Sequence, residues 1–482
     1  MNRYQRILLP SIADLVFAGL LFTRLQPTLF YDADTGWHLW AGSALLEHGV
    51  GRIPDALSFT RQGALWADLE WLGDVLFTLL YRHGAFMGVA LLAAAAFAAT
   101  VAWLYRILFR ESGDAVAGLV VAVLAAQVAL IHFLARPLVL SFPLFLAVSL
   151  IVRRAPRSRN LWLLPLLTAL WANLHPSAYL APAMALYAAL RVRTRTGWLA
   201  AALSAAALGA TPWGYRWLGE ALPGLNSAAY LARINEWMAP QFNEVRFAPM
   251  LLAALLALVA RRGRPALSAW ETGWGLGWLA AALVTARLAP YALLAWAPFL
   301  ARDLAGGALF PPRSRIRAWW QGLSGALSPM EARLRPRMWP VVVGALALIL
   351  APRIAPSFPE VAAGFPADRF PKAALAEARA LDLPPRVFNH YGWGGYVSWE
   401  SDRRFRVAVD GRLGFFGRAL FQDYLTVFML QPGWEDVLHR TNPDWLLFPP
   451  SAPVVTAAPL TGRWTVAYRD SIACILVPGA SD

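Results

Sequence analysis

Apolar residues in this chain come in long blocks separated by short polar stretches, rather than in the short alternations of a soluble fold. Blocks that are apolar all round and approach the length needed to cross a bilayer read as membrane-spanning helices. They fall at 7–25, 85–106, 115–133, 138–152, 161–174, 176–190, 197–212, 248–261, 271–286, 289–303 and 338–352. The pattern therefore predicts a polytopic α-helical membrane protein with about eleven spans. No small-residue cleavage site follows the first block and more spans do, so it does not read as a cleaved signal peptide.

Polar segments punctuate the blocks. A long loop covers 26–68, and 70–81 is amphipathic enough to lie in the interface. Several spans are short and come in pairs joined by tight turns: His132-Phe-Leu-Ala-Arg136-Pro137, Trp171-Ala-Asn173-Leu-His175-Pro176 and Thr285-Ala-Arg287-Leu-Ala-Pro290. Polar groups at such depth are tolerated when they are buried in protein or line a wet cavity. The short pairs thus predict the floor of a cavity. The Arg-, Pro- and Gly-rich 303–337 segment reads as a loop with one interfacial helix at 316–323.

After residue 352 the pattern changes. Alternating apolar stretches at 386–388, 395–399, 405–409, 445–448, 464–468 and 472–477 read as strands, and 415–430 and 434–440 as helices. Residues 1–352 form the expected transmembrane domain, and 353–482 a small α/β domain large enough for its own core.

Composition and charge orient this architecture. The chain is 58% hydrophobic and 15% charged over 482 residues, against about 25% charged in a typical soluble domain. Residues 1–351 carry 30 arginines and 16 acidic residues, whereas the tail has 13 of each sign. The basic excess therefore belongs to the membrane half, where it sets topology. With a cytoplasmic N-terminus, the clusters Arg153/Arg154/Arg157/Arg159, Arg191/Arg193/Arg195, Arg261/Arg262/Arg264 and the seven arginines from Arg302 to Arg337 all fall inside. The 26–68 loop, the three tight turns and the tail fall outside. Positive-inside loops account for the pI of 10.5, so nucleic acid is not an expected partner. The single cysteine, Cys474, rules out an intramolecular disulfide and a Cys-based metal site.

Candidate chemistry concentrates on the outer side. Asp32, Asp34 and His38 sit in Tyr31-Asp-Ala-Asp-Thr-Gly-Trp-His-Leu-Trp40, just after the first span. Carboxylates there are costly unless solvated, paired or used. They suit a general base or an orienting group, and equally a helix N-cap at Asp34-Thr-Gly-Trp. Asp32-x-Asp34 with His38 admits a divalent metal without supplying enough donors to assign one. Arg136, Arg287 and His175 occupy the three outer turns. Glu236 beside Trp237 suits ring stacking plus hydroxyl bonding to an acceptor sugar, or loop structure. Trp393, before Gly394 and Gly395, shapes a turn facing the cavity, and Asp410 with Arg412 reads as a structural turn. There is no phosphate-binding glycine loop, Ser-His-Asp signature or HExxH.

The stretch Asp34-Thr-Gly-Trp-His38-Leu-Trp-Ala-Gly42, with Gly49, Pro54-Asp55-Ala-Leu-Ser58-Phe-Thr60, Trp66 and Glu70-Trp71-Leu72, resembles the first outer loop of bacterial membrane glycosyltransferases of the GT-C superfamily. That superfamily includes oligosaccharyltransferase catalytic subunits and protein mannosyltransferases. Trp171-Ala-Asn173-Leu-His175, Thr211-Pro-Trp-Gly214, Asn235-Glu236-Trp237 and Arg287-Leu-Ala-Pro290 are similar to segments of a bacterial branch of the group. So are Asn389-His-Tyr-Gly-Trp393-Gly-Gly-Tyr396 and Val409-Asp410-Gly-Arg412 in the tail. The resemblance implies a GT-C-like fold and a polyprenyl-phosphate-linked sugar as donor, with Asp34 as the base-like residue and Asp32 as second choice. Arg287, Arg136 and His175 would hold the donor phosphate by charge-assisted contacts. His38, Glu236, Trp237 and Trp393 would meet acceptor or sugar. It places the chain in the bacterial inner membrane with an extracytoplasmic tail, transferring to a glycan, lipid or protein acceptor. Gly-Trp-Gly-Gly-Tyr stands where oligosaccharyltransferases carry Trp-Trp-Asp-Tyr-Gly, which argues against peptide-sequon glycosylation. Competing functions are a non-catalytic transporter or scaffold for lipid-linked glycans, and a ligase or polymerase using diphosphate-linked donors.

Overall fold

A computed structural model describes residues 9–155, 160–216, 237–262, 264–334, 344, 346 and 358–479. The first half is a helical bundle. Helix α1 (Ile12–Thr23) opens with a capping box in which Ser11 and Asp14 exchange side-chain and backbone bonds. A short turn leads to α2 (Asp34–His48), and the strands β1 (Ile53–Pro54) and β2 (Leu65–Trp66) form an antiparallel hairpin in the loop that follows. Helix α3 (Trp71–Ser112) is broken at Gly84 and Ala85, where the backbone leaves helical geometry. This break separates the expected amphipathic segment from the expected span.

The bundle continues with α4 (Ala115–Ala129), α5 (Ser141–Arg153), α6 (Leu163–Leu174), α7 (Leu180–Val192), α8 (Arg195–Ala207), α9 (Ala248–Ala260), α10 (Ala269–Val284), α11 (Ala289–Leu304) and α12 (Arg315–Arg333). Each expected span within the described residues is occupied by a helix. By length and composition, however, two helices among the described residues qualify to cross a membrane: Trp71–Ser112 and Ala115–His132. The others are shorter apolar segments, so a count of eleven crossings is not established. The expected span at 338–352 lies largely outside the described residues, as does the boundary at 352. Helix α12 is longer than the expected interfacial helix at 316–323 and contains it.

The tail begins with α13 (Phe358–Ala363) and α14 (Lys372–Ala380), then β3 (Arg386–Asn389), α15 (Gly394–Glu400), β4 (Arg406–Val407), α16 (Leu413–Phe428), α17 (Trp434–Thr441), β5 (Trp445–Phe448), α18 (Pro453–Leu460), β6 (Trp464–Arg469) and β7 (Cys474–Pro478). Its sheet runs β4-β3-β5-β7-β6, parallel across β4, β3 and β5 and antiparallel across β7 and β6. All four residues of β5 are buried, as expected for a strand covered on both faces. The expected strand at 395–399 is instead helix α15. Its β-type residues Tyr396, Val397 and Trp399 lost to tertiary packing, because Gly394 and Gly395 let this segment press against other backbone. A Cβ on Gly395 would lie 2.3 Å from the Ala33 carbonyl oxygen, and one on Gly36 would lie 2.4 Å from the Gly395 oxygen.

The loop between α2 and α3 ties the bundle and the tail together. Val407 N–H donates to the Leu57 oxygen at 3.0 Å, and Phe59 N–H to the Val407 oxygen at 3.1 Å. Arg412, 1% exposed at its side chain, bridges Asp410 at 2.7 Å and Asp55 at 2.8 Å. Its guanidinium lies over the rings of Trp40, Trp66 and Phe415. The expected structural turn at Asp410 and Arg412 is thus a buried ionic bridge between tail and loop.

Candidate active site

Asp34 is the first residue of α2, and Ala33 occupies the N-cap position. Its backbone is held by its neighbour, since Asp34 N–H donates to Asp32 Oδ1 at 2.9 Å. Sequence left Asp34 open between a base and an N-cap; in the structure Ala33 is the N-cap and Asp34 makes no capping bond. The Asp34 carboxyl is therefore left to the site. It stays 19% exposed at its side chain, with Oδ2 3.5 Å from Arg136 NH1, and the same nitrogen lies 2.8 Å from Asp32 Oδ2. The Arg136 turn is docked to this loop, since Thr35 Oγ1 donates to the Ala135 oxygen at 2.9 Å and Ala135 N–H to the Leu29 oxygen at 2.8 Å.

One helical turn behind Asp34 lies His38, buried against Trp37. Its Nδ1 is 2.7 Å from Asp74 Oδ1, and its Nε2 is 3.9 Å from Glu70 Oε2. Glu70 also faces His175, whose Nε2 is 3.4 Å from Oε1. The hydrogen-bond network fixes the tautomer of His175. Its Nδ1 accepts from Ser177 N–H at 3.0 Å, so the ring proton sits on Nε2 and points at Glu70. His38 Nδ1 and Asp74 Oδ1 share one proton across this contact, and the other ring nitrogen, Nε2, faces Glu70. Ser177 Oγ extends the line, accepting from Trp171 Nε1 and Tyr291 OH.

Arg287 stacks over Trp237 with its guanidinium carbon 4.8 Å from the ring centroid, and Ala286 N–H holds the Met238 oxygen at 2.8 Å. Asn173 accepts from Trp71 Nε1 at 2.7 Å, and Trp213 Nε1 donates to the Asp68 oxygen at 2.8 Å. These residues anchor the loop that carries Glu70. Trp393 does not join the carboxylates: it is buried, and its Nε1 bonds the Arg369 oxygen at 3.1 Å. The glycines that follow it pack on other backbone, Gly394 against Val409 and Gly395 against Ala33. Glu236 lies outside the described residues.

Negative charge is in excess here, with Asp32, Asp34, Asp68, Glu70 and Asp74 against Arg136 and Arg287. Burial, reinforced by Asp32, pushes Asp34 up to about 8 against the pull of Arg136. Burial and Asp68 push Glu70 up to about 8, and burial pushes Asp68 up to about 6. Burial lowers His38 and His175 well below the usual histidine range, with Arg136 helping at His38 and Arg287 and Arg136 at His175. His38, Glu70 and Asp74 place one donor atom each within 4.8 Å of one another. One imidazole and two carboxylates in a negative surround fit a divalent cation such as Zn²⁺ or Mn²⁺.

Glu70 and Asp74 had no role assigned from sequence. The available signal was their i, i+4 spacing, one face of a helix, at the head of a long apolar run.

No family model and no curated protein matches the chain. Among solved structures, it is similar to the apo crystal structure of the Archaeoglobus fulgidus oligosaccharyltransferase. The identity is 12% and the TM-score 0.50, with 90% of this chain and 68% of that one covered. At that identity the likeness shows the fold alone.

Proposed function

We propose that this protein is a membrane glycosyltransferase that moves a sugar from a polyprenyl-phosphate donor to an extracytoplasmic acceptor. The observation that carries the reading is Asp34: a partly exposed carboxyl, pushed up to about 8, beside Arg136 where the bundle meets the tail. A base works best when its pKa lies near the working pH. The GT-C-like fold and the outward-facing leucines of α6 and α9, such as Leu166 and Leu258, support placement in a bilayer. In this reading residues 1–352 form the membrane domain, 353–482 the outer domain, and the location is the bacterial inner membrane.

The acceptor hydroxyl attacks the anomeric carbon while its proton passes to the Asp34 carboxylate. The bond from that carbon to the donor phosphate oxygen breaks, and polyprenyl phosphate leaves with the bonding pair. Arg136 and Arg287 hold the phosphate, where charge grows in the transition state. Asp32 fixes the Asp34 backbone and shares Arg136. His175, with its proton on Nε2, orients Glu70. A divalent cation, when bound, would be held by His38, Glu70 and Asp74 and would supply Lewis-acid polarisation of the donor phosphate.

The test is Asp34→Asn, followed by mass spectrometry of co-purifying lipids before and after incubation with host membrane lipids. The variant should retain glycosylated polyprenyl phosphate while wild type holds the bare phosphate. Identical intact lipid on both would instead favour a transporter or scaffold.

A further inference from the structure

At the far end of the bundle lies a cavity of about 480 Å³. Helices α5, α10 and α11 each have one end at the candidate active site and the other here: Arg136 against Arg153, Arg287 against Ser268, and Pro290 against Arg302. The two sites therefore occupy opposite faces of the bundle. This rests on the membrane topology proposed above, in which the cavity opens at the cytoplasmic headgroup level.

Four arginines line the cavity: Arg153, Arg154, Arg191 and Arg302. Two are neutralised, Arg153 by Glu111 through bonds of 3.1 and 2.6 Å, and Arg302 by Glu271 at 2.8 Å. Arg191 gives one bond to the Arg153 carbonyl oxygen, at 3.0 Å, and faces no carboxylate within ion-pair distance among the described residues. Arg154 is exposed and likewise has no ion pair among them. The lining thus carries two guanidinium charges in excess. Tyr187, Trp270, Trp274 and Phe299 give it an aromatic wall, beside Val152 and Ser268. Guanidinium forks match the oxygens of a phosphate, and aromatic rings favour the level where headgroup meets acyl chain.

We infer that this cavity binds the phosphate headgroup of an anionic glycerophospholipid from the cytoplasmic leaflet. Arg154 and Arg191 take the phosphate oxygens, and the aromatic wall packs against the glycerol and upper acyl carbons. The chemistry recognised is a phosphate, which a soluble anion also carries, so the experiment separates the two sources.

Full-length protein purified in detergent is offered phosphatidylglycerol, phosphatidylcholine or inorganic phosphate, and bound lipid is counted by native mass spectrometry alongside the unfolding temperature. Phosphatidylglycerol should be retained over phosphatidylcholine, and Arg154→Gln with Arg191→Gln should weaken that retention about 30-fold, the worth of two charges near a headgroup. Arg154→Gln alone, at an exposed position, gives part of the loss without disturbing the fold. Equal retention of the two lipids overturns the proposal, as does full retention by the double variant. Inorganic phosphate at millimolar concentration displacing the lipid and stabilising the protein equally also overturns it, in favour of a soluble-anion site. Retention is read without sugar transfer, so identical intact donor lipid on wild type and Asp34→Asn would sink the glycosyltransferase reading and leave this one standing.

Discussion

Gly411→Ala should cripple the site without touching any ionisable group. A Cβ there would lie 1.8 Å from Asp34 Oδ1, 2.4 Å from Cγ and 2.6 Å from Oδ2. Ordinary contact begins at 3.4 Å, so something must retreat by about 1.6 Å, well beyond what a packed interior absorbs as slack. The Gly411 side cannot give easily, because Asp410 and Arg412 flank it in a bidentate pair that is anchored in turn to Asp55. The carboxyl of Asp34 must therefore swing, away from the geometry that sets it beside Arg136. Misplacing a reacting group by about 1 Å can cost on the order of 100-fold in rate, and overpacking costs about 1–3 kcal/mol. The expected result is a folded protein, modestly destabilised, whose kcat for sugar transfer falls about 100-fold. Turnover of lipid-linked donor would be followed by mass spectrometry beside thermal unfolding. Gly51→Ala, where no atom lies within 4 Å of the added Cβ, is the neutral control. A Gly411→Ala enzyme transferring within about threefold of wild type, a change worth under 1 kcal/mol, would refute the reasoning.

Arg412→Met strands the Asp55 and Asp410 carboxylates in a buried site. It should destabilise by about 3–5 kcal/mol in chemical denaturation; a loss below about 1 kcal/mol would mean the bridge is not needed. Arg287→Lys keeps the charge but gives up the planar stack on Trp237, worth about 0.5–2 kcal/mol. It should raise KM for the lipid donor more than it lowers kcat, and the reverse split would remove Arg287 from donor binding. Transfer should increase with pH up to about 8, as Asp34 ionises, whereas a flat profile through that range would contradict the base role. Stability should move the other way. Asp34 and Glu70 hold protons in the folded state that the unfolded chain, with carboxyl values near 4, has already released. His38 and His175, lowered by burial, oppose this only where the unfolded chain would protonate them, below about 6.5. Between about pH 6.5 and 8 the unfolding temperature should therefore fall, and an increase there would overturn the burial argument.

The helices were legible because hydropathy is a property of contiguous residues. The break between 70–81 and 85–106 was readable for the same reason, and it falls at Gly84 and Ala85. Turn chemistry also carried through. Arg136, His175 and Arg287, spaced far apart in sequence, converge because each sits in a short 3₁₀ turn or at its edge at one end of the bundle. Helix α15 was misread because Gly-Gly-Tyr-Val-Ser-Trp has the composition of a strand, and what decides it is the Ala33 carbonyl pressed against Gly395. Such a contact is written in no local pattern. Glu70 and Asp74 were present in the sequence as acids at the head of an apolar helix. Their partners His38 and His175 lie 32 and 105 residues from Glu70, so only the fold could reveal them as one group.

The glycines explain why the tail and the bundle act as one site rather than as neighbours. Gly36 and Gly395 bring α2 and α15 into backbone contact, Gly394 packs on Val409 and Asp410, and Gly411 meets the Asp34 carboxyl. Gly42 does the same between α2 and α3, where a Cβ would lie 2.3 Å from the Asp74 oxygen. Each contact removes a methyl's worth of space between elements that carry a candidate chemical group: Asp34 and His38 on α2, Asp74 on α3, Asp410 in the tail. Close packing of this kind excludes water from the carboxylates, and exclusion of water is what raises Asp34 and Glu70 into the range where a carboxyl can exchange a proton near neutral pH. The glycine spacing and the raised pKa values are thus one design, in which backbone proximity sets the electrostatics. It follows that substitutions at Gly36 or Gly395 should shift the pH profile toward the acid side, because a looser joint lets water in, whereas a change that merely weakened folding would lower activity at every pH alike.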